Sequence, residues 1–318
     1  MRLIRTLGLA AGMMLGASVG AQSAHAQQFV NVLTGGTSGV YYPLGVALSQ
    51  LYGKALPDAK VSVQSTKASA ENLNLLQAGR GEVAFALGDA VSDAWNGVEE
   101  AGFKTKLSKL RGMAAIYPNY IQIVAASDSG IKTLADLKGK RVSVGAARSG
   151  TELNARAIFK GAGMSYGDLG KVEYLPFGES VELIKNRQLD ATLQSAGLGV
   201  ASLRDLANAL QITVVPVPAE VVTKIGDAAY QASVIPANTY QGQTADVPTV
   251  RIRNILVTHS GVSDDTVYAM TKTMFENLDQ LVSAHAAAKG IIKDDAAIVP
   301  LPLHPGAERY YREAGLLK

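Results

Sequence analysis

The chain of 318 residues is 47% hydrophobic and 6% aromatic, has no cysteine, and carries 30 Lys and Arg against 27 Asp and Glu, a formal charge of +3. That length can bury a full core and predicts two domains. The weak charge, without a basic block and with few aromatics, argues against nucleic-acid partners. The missing cysteines exclude disulfides, thiolate zinc sites and cysteine nucleophiles.

Residues 1–26 read as a signal peptide. Arg2 and Arg5 form a basic n-region, Leu7 to Val19 a short apolar stretch, and Ala24-His25-Ala26 an A-x-A cleavage signal, so cleavage is expected after Ala26. A membrane anchor needs about 20 apolar residues, and this stretch is too short. A bacterial lipoprotein would also need a cysteine after the signal. The expected compartment is therefore the periplasm, with the mature protein free of the membrane. Without Arg2 and Arg5 the remainder has 28 basic and 27 acidic residues, a net +1.

From Phe29 the pattern alternates strand and helix. Phe29 to Leu33 is a strand, and Pro43 suits the first turn of a helix through Tyr52. Lys60 to Gln64 alternates as a strand, Ser69 caps a helix to Ala78, and Glu82 to Leu87 is a third strand. After Tyr117-Pro118 a second unit begins: Ile121 to Ala125 is apolar, and Leu134 to Leu137 is a short helix. Arg141 to Val144 is a strand, Thr151 to Lys160 a helix, and Val172 to Leu175 a strand. Glu179 to Asn186 then reads as helical, with strands at Ala191 to Gln194, Ile212 to Val215 and, past Pro236 and Pro248, Thr249 to Thr258. Ser263 caps a helix with apolar Val267, Met270, Met274, Leu278 and Leu281, a packing face rather than a cofactor face. One last helix falls between Leu301 and Lys318.

This order predicts an α/β fold of two lobes, each a mostly parallel sheet with helices on both faces. Residues 27–120 with 236–318 form the first lobe and 121–235 the second. Crossings near 118–121 and 235–250 form a hinge.

Two small-residue turns carry the candidate chemistry, each between a strand and a helix. The first is Gly35-Gly36-Thr37-Ser38-Gly39-Val40-Tyr41, and the second is Gly145-Ala146-Ala147-Arg148-Ser149-Gly150-Thr151. Glycines expose backbone N–H groups, and a helix start adds donors and partial positive charge, which suits a carboxylate. Gly36 and Gly39 would offer N–H groups, and Thr37, Ser38 and Tyr41 hydroxyls, with helix capping as the plainer role of the hydroxyls. Ser149, Gly150 and Thr151 stand in the equivalent place. Arg148 would hold a carboxylate bidentately, or else point into solvent. Ser69, Asn72 and Asp89 are further candidates of the first unit, Tyr117 lies at the crossing, and Gln194 and Ser195 end a strand where open α/β sheets bind ligands.

An enzyme has less support. Gly36-Thr37-Ser38-Gly39-Val40 lacks the second glycine of G-x-S-x-G. The histidines after residue 26, His259, His285 and His304, lie far from either turn and show no metal-ligand spacing. A serine hydrolase is thus the weaker alternative, no cofactor or metal is expected, and both nucleotide fingerprints are missing.

The chain resembles the TAXI family of TRAP-transporter solute-binding proteins. The likeness is carried by Gly35 to Gly45, Glu71-Asn72-Leu73, Asp128-Ser129-Gly130-Ile131, Leu134 to Val142 and Ser149-Gly150-Thr151-Glu152. Asp246 to Val250, Phe275-Glu276-Asn277-Leu278, Leu303 to Ala307 and Tyr310 to Gly315 continue it. The resemblance implies a monomer that closes on a small organic acid or amino acid, such as 2-oxoglutarate or glutamate. It also implies delivery to a TRAP permease driven by an ion gradient. A sensor subunit presenting the solute to a receptor is the alternative. Three positions depart from the family pattern: Ser38 and Arg148, where glycine is usual, and Leu87-Gly88-Asp89, where Gln-Ser-Asp is common.

Overall fold

The computed structural model describes residues 27–317. The expected signal peptide, with its cleavage after Ala26, lies outside them. Among the described residues no helix is long and apolar enough to cross a membrane.

In the first lobe, β1 (Gln28–Leu33), α1 (Tyr41–Ala55), β2 (Ala59–Gln64), α2 (Ser69–Gln77) and β3 (Val83–Leu87) alternate, followed by α3 (Gly88–Asn96). β1 pairs in parallel with both β2 and β3. β3 is buried along its whole length, with Val83 and Phe85 packed on one side of the sheet and Ala84 and Ala86 on the other. A parallel strand covered on both faces must be apolar throughout, which is why this run shows no alternation. α1 begins at Tyr41, ahead of the Pro43 start read from the sequence.

The second lobe holds β5 (Arg141–Ser143), α4 (Gly150–Gly161), β6 (Lys171–Glu173), α5 (Phe177–Lys185), β7 (Ala191–Ala196), α6 (Ala201–Ala209), β8 (Ile212–Val215), α7 (Ala219–Ile225) and β9 (Gln231–Ile235). The long strands β4 (Leu110–Ala126) and β10 (Val247–His259) run through both lobes and join all ten strands into one sheet. Because these two strands run antiparallel to each other and to β3, β7, β8 and β9, the sheet is mixed rather than mostly parallel. Parallel pairing survives at the flanks, between β1, β2 and β3 and between β5, β6 and β7.

β4 pairs with β10 on either side of Ile116 and Tyr117, then with β7 from Tyr120 onward. The register slips between Arg253 and Ile255. Val247 to Arg251 of β10 pair with β9 on the second-lobe side, so the strand pairings put the second crossing near Arg253, later than the 235–250 read from the sequence. A β-bulge bends a strand locally, which suits a crossing point. The C-terminal helices α8 (Asp264–Glu276), α9 (Leu278–Ala284) and α10 (Pro305–Glu313) return to the first lobe, where α8 packs on α1 and α10.

Candidate functional site

A cleft of about 440 Å³ opens between the lobes, within the range of small-molecule sites. Four helices begin at it. α1 arrives with the turn Gly36 to Val40, α2 with Ala68 and Ser69, α4 with Ser149, Gly150 and Thr151, and α5 with Pro176 to Glu179. Two come from each lobe. Each helix start presents partial positive charge, worth about 0.3–1 kcal/mol to an anion when exposed and up to ~2 kcal/mol when partly buried.

The floor is a hydrogen-bonded strip that crosses the lobes. Tyr41, stacked on Phe85, donates its hydroxyl to Asn254 Oδ1 at 2.5 Å. Asn254 Nδ2 donates to Asn119 Oδ1 at 2.8 Å, and Asn119 Nδ2 donates to the Ser195 carbonyl at 2.8 Å. Burial holds the Tyr41 phenol well above its ordinary value, so it stays neutral. Ser195 itself is 5% exposed, lines the cleft, and its Oγ has no hydrogen-bond partner among the described residues. A buried hydroxyl left unpaired costs about 1–3 kcal/mol, which a ligand acceptor would relieve.

The lobes touch across this cleft. A Cβ on Gly150 would lie 2.4 Å from Ser69 Oγ and 2.7 Å from Leu87 Cδ1, and one on Gly178 would lie 3.4 Å from Ser38 Oγ. Glycine at 150 is what permits that approach. Ala68 takes φ 68° and ψ −146°, a region that glycine normally occupies, and its N–H donates to Thr66 Oγ1 at 2.9 Å. Backbone strain of this kind persists where the surroundings fix it, often beside a ligand.

Of the residues singled out in the sequence, Gly36, Thr37, Ser38, Gly39, Tyr41, Ser69, Ser149, Gly150, Thr151 and Ser195 line the cleft together. Ser69 does not cap α2 as expected. Ala68 holds that position, and Ser69 Oγ accepts from the Leu87 N–H at 3.1 Å. Ser149 does cap α4, accepting from the Glu152 N–H at 3.1 Å.

Five candidates lie elsewhere. Asn72 is buried behind α2, where its amide donates to the carbonyls of Thr34 (2.7 Å) and Phe85 (2.8 Å). Its capacity is spent on stapling the first turn to β3. Gln194 is buried and accepts from Ser202 Oγ at 2.7 Å, one residue short of the cleft. Tyr117 is fully buried beside Gly197 and Gly290. Arg148, expected to clamp a carboxylate, is exposed with φ 63° and lines a separate depression with Glu99 and Glu100.

Asp89 is the fifth. It is 3% exposed, and its Oδ2 accepts from Asn154 Nδ2 at 2.6 Å and from the Tyr230 hydroxyl at 2.7 Å. Asn154 and Tyr230 belong to the second lobe, so this cluster ties the lobes together beside the cleft. Burial pushes the Asp89 carboxyl up to about 6, partly offset by the Tyr230 hydrogen bond and the Ala90 N–H, with Asp93 and Asp227 adding to the rise.

Sequence reasoning missed Lys67, Ala68, Asn119 and Phe177 as lining residues. Asn119 follows Pro118 at the expected crossing, a signal that was available. Phe177 precedes the helix start read at Glu179 and was hidden by that boundary. Among the described residues no histidine lines the cleft. His304 caps α10 through Nδ1, and His285 accepts from the Ala287 N–H. Nor is any group of three or more His, Cys, Asp or Glu placed to hold a metal among those residues.

Residues 32–315 match the family model described as NMT1-like. The chain belongs to the NMT1-like family. Among solved structures, this NMT1-like chain is similar to one from Bordetella bronchiseptica RB50 at 15% identity, over 90% of this chain and 98% of that one, with a TM-score of 0.56. An ancestral arginine-binding protein bound to arginine matches at 17% identity over 84% of this chain and all of that one (100%), with a TM-score of 0.50. The periplasmic aliphatic sulphonate binding protein SsuA of Escherichia coli is similar at 18% identity, over 84% and 80% of the two chains, with a TM-score of 0.46. The NMT1-like chain thus has a two-lobed α/β fold, shared with the arginine-binding protein.

Proposed function

We propose that this chain is a non-catalytic periplasmic solute-binding protein that closes on a small carboxylate-bearing solute and delivers it to a TRAP membrane permease. The observation that carries the reading is the convergence of four helix starts, two from each lobe, with the unpaired Ser195 Oγ on one interlobe cleft. A ligand there is fully held only when the lobes meet, and that differential contact is what shifts an open–closed equilibrium. Residues 27–120 and the chain beyond the bend at Arg253 move as one lobe and the rest as the other, with β4 and β10 bending at Pro118 and Arg253. The TRAP permease and the monomeric state rest on the resemblance of the first turn and the C-terminal stretch to TAXI proteins.

A thermal-shift screen of purified protein against carboxylates, sulfonates, sugars and nucleotides tests the reading, because a ligand of the native state raises the melting temperature by mass action. Carboxylates are expected to raise it and to be recovered chemically unchanged. Shifts confined to sugars or nucleotides, or consumption of the bound compound, would sink it. Co-reconstitution with the permease, and light scattering for mass, check delivery and the monomer.

A further inference from the structure

We infer that the cleft selects a monocarboxylate with a compact apolar body over a dicarboxylate or an amino acid. The inference rests on the carboxylate reading above and narrows it.

One carboxylate is provided for at the helix starts. A second carboxylate finds no buried side-chain cation among the described residues of the lining. Lys67 is the cation and Glu179 the anion of the cleft lining, and both side chains are exposed at its rim. The arginine that a second carboxylate would want, Arg148, lines the other depression. Beyond neutral hydroxyls such as Ser65 and Thr66, the walls are apolar: Leu87 from β3, Ala196 from β7, and Pro176 and Phe177 opening α5. Of the floor's polar side chains, Asn119 and Asn254 are already spent, since Asn119 pairs both with Asn254 and with the Ser195 carbonyl, and Ser195 Oγ is left as a neutral partner for one carboxylate. A second carboxylate or an ammonium pressed against these walls would lose its water without gaining a buried counter-ion, which disfavours the charged group. An exposed lysine at the rim recovers little of that loss, because pairs in water are weak. An alkyl or aryl body instead gains from covering Leu87 and Phe177.

The test is calorimetric titration of purified protein with 4-methylpentanoate and phenylacetate, set against succinate, 2-oxoglutarate and L-glutamate. The monocarboxylates are expected to bind at least tenfold more tightly, a difference of about 1.4 kcal/mol. Phe177→Ala should shrink that gap, and Lys67→Ala should leave it within threefold. Succinate, 2-oxoglutarate or glutamate binding as tightly as the monocarboxylates would overturn this inference while leaving the carboxylate reading standing. Binding by none of the five acids, with a sulfonate or sugar binding instead, would overturn both.

Discussion

At the cleft, Ser195 Oγ has no partner among the described residues and four helix starts face open space. Beside it, Asp89, Asn154 and Tyr230 bind one another across the same lobe boundary. The two regions are adjacent in the chain as well, since Asp89 follows Leu87 by one glycine and Asn154 lies a turn beyond Gly150. The hydrogen bonds of this cluster fix how the lobes meet, even though Asp89 Oδ1 and Asn154 Oδ1 have no partner among the described residues, and Ser195 Oγ is left for whatever the lobes meet around. The sharpest way to break that division of labour is to wedge the seam. Gly150→Ala puts a methyl 2.4 Å from Ser69 Oγ, and the lobes are expected to part. Carboxylate affinity should fall at least 100-fold, about 2.7 kcal/mol, with circular dichroism unchanged. Because the chain has no cysteine, nitroxides at Lys104→Cys and Gln188→Cys report the interlobe distance uniquely. An unaltered distance distribution would mean the seam absorbs the methyl.

Removing the paired side of the comparison should do less. Asp89→Ala removes the acceptor shared by Asn154 Nδ2 and the Tyr230 hydroxyl, which keep only the 2.9 Å hydrogen bond from Asn154 Nδ2 to Tyr230, and leaves the buried Tyr230 O–H without an acceptor at about 1–3 kcal/mol. Thermal melts should drop by several degrees, and the nitroxide pair should show more of the long-distance population. A melt equal to wild type would show that water replaces the carboxylate.

Acidity offers a gentler handle on the same cluster. The Asp89 carboxyl ordinarily titrates near 3.8 and sits at about 6 when buried. A raised carboxyl favours the buried, protonated form, so its contribution to closure is full below about pH 4 and is lost as pH rises through about 6. Between pH 7.5 and pH 5 the closed-to-open ratio should rise about tenfold. Asp89→Asn keeps an acceptor for Asn154 and Tyr230 but cannot titrate, so its nitroxide distances should not respond to pH. A wild-type distribution flat across this range would place Asp89 in the same surroundings in both forms.

Much of this arrangement was readable in the residues, and the failures have physical causes. The strand β1 declared itself by an apolar run and β2 by alternation of apolar and polar residues, β5 and β10 were read close to their observed bounds, and the two glycine turns fell at helix starts as expected. α3, α6 and α7 did not show, because Gly88 opening α3 and short helices with few apolar positions resemble loop. β4 was read only over Ile121 to Ala125. Before Tyr120 it carries Gly112, Pro118 and Asn119, residues that weaken a strand pattern, yet Pro118 and Asn119 are where it crosses between lobes. Candidate residues next to a glycine turn reached the cleft, since local backbone places them. Asn72, Asp89 and Gln194 did not, because whether a polar side chain turns toward ligand or toward protein depends on partners far along the chain, such as Tyr230 for Asp89.

Arg148 is the smallest of the expected effects and separates local from long-range reasoning. Its position in a turn otherwise suited to anions made it the natural carboxylate clamp, yet its φ of 63° is a glycine conformation, and Arg148 lines the depression with Glu99 and Glu100 instead of the cleft. Glycine relieves a left-handed strain of about 1 kcal/mol for an L-residue, partly offset by the freedom glycine gains when the chain unfolds. Arg148→Gly is therefore expected to leave carboxylate affinity within twofold and to hold or slightly raise the melting temperature. A tenfold loss of affinity in that variant would return the guanidinium to the ligand, and with it a counter-ion for the second carboxylate that the cleft walls do not supply.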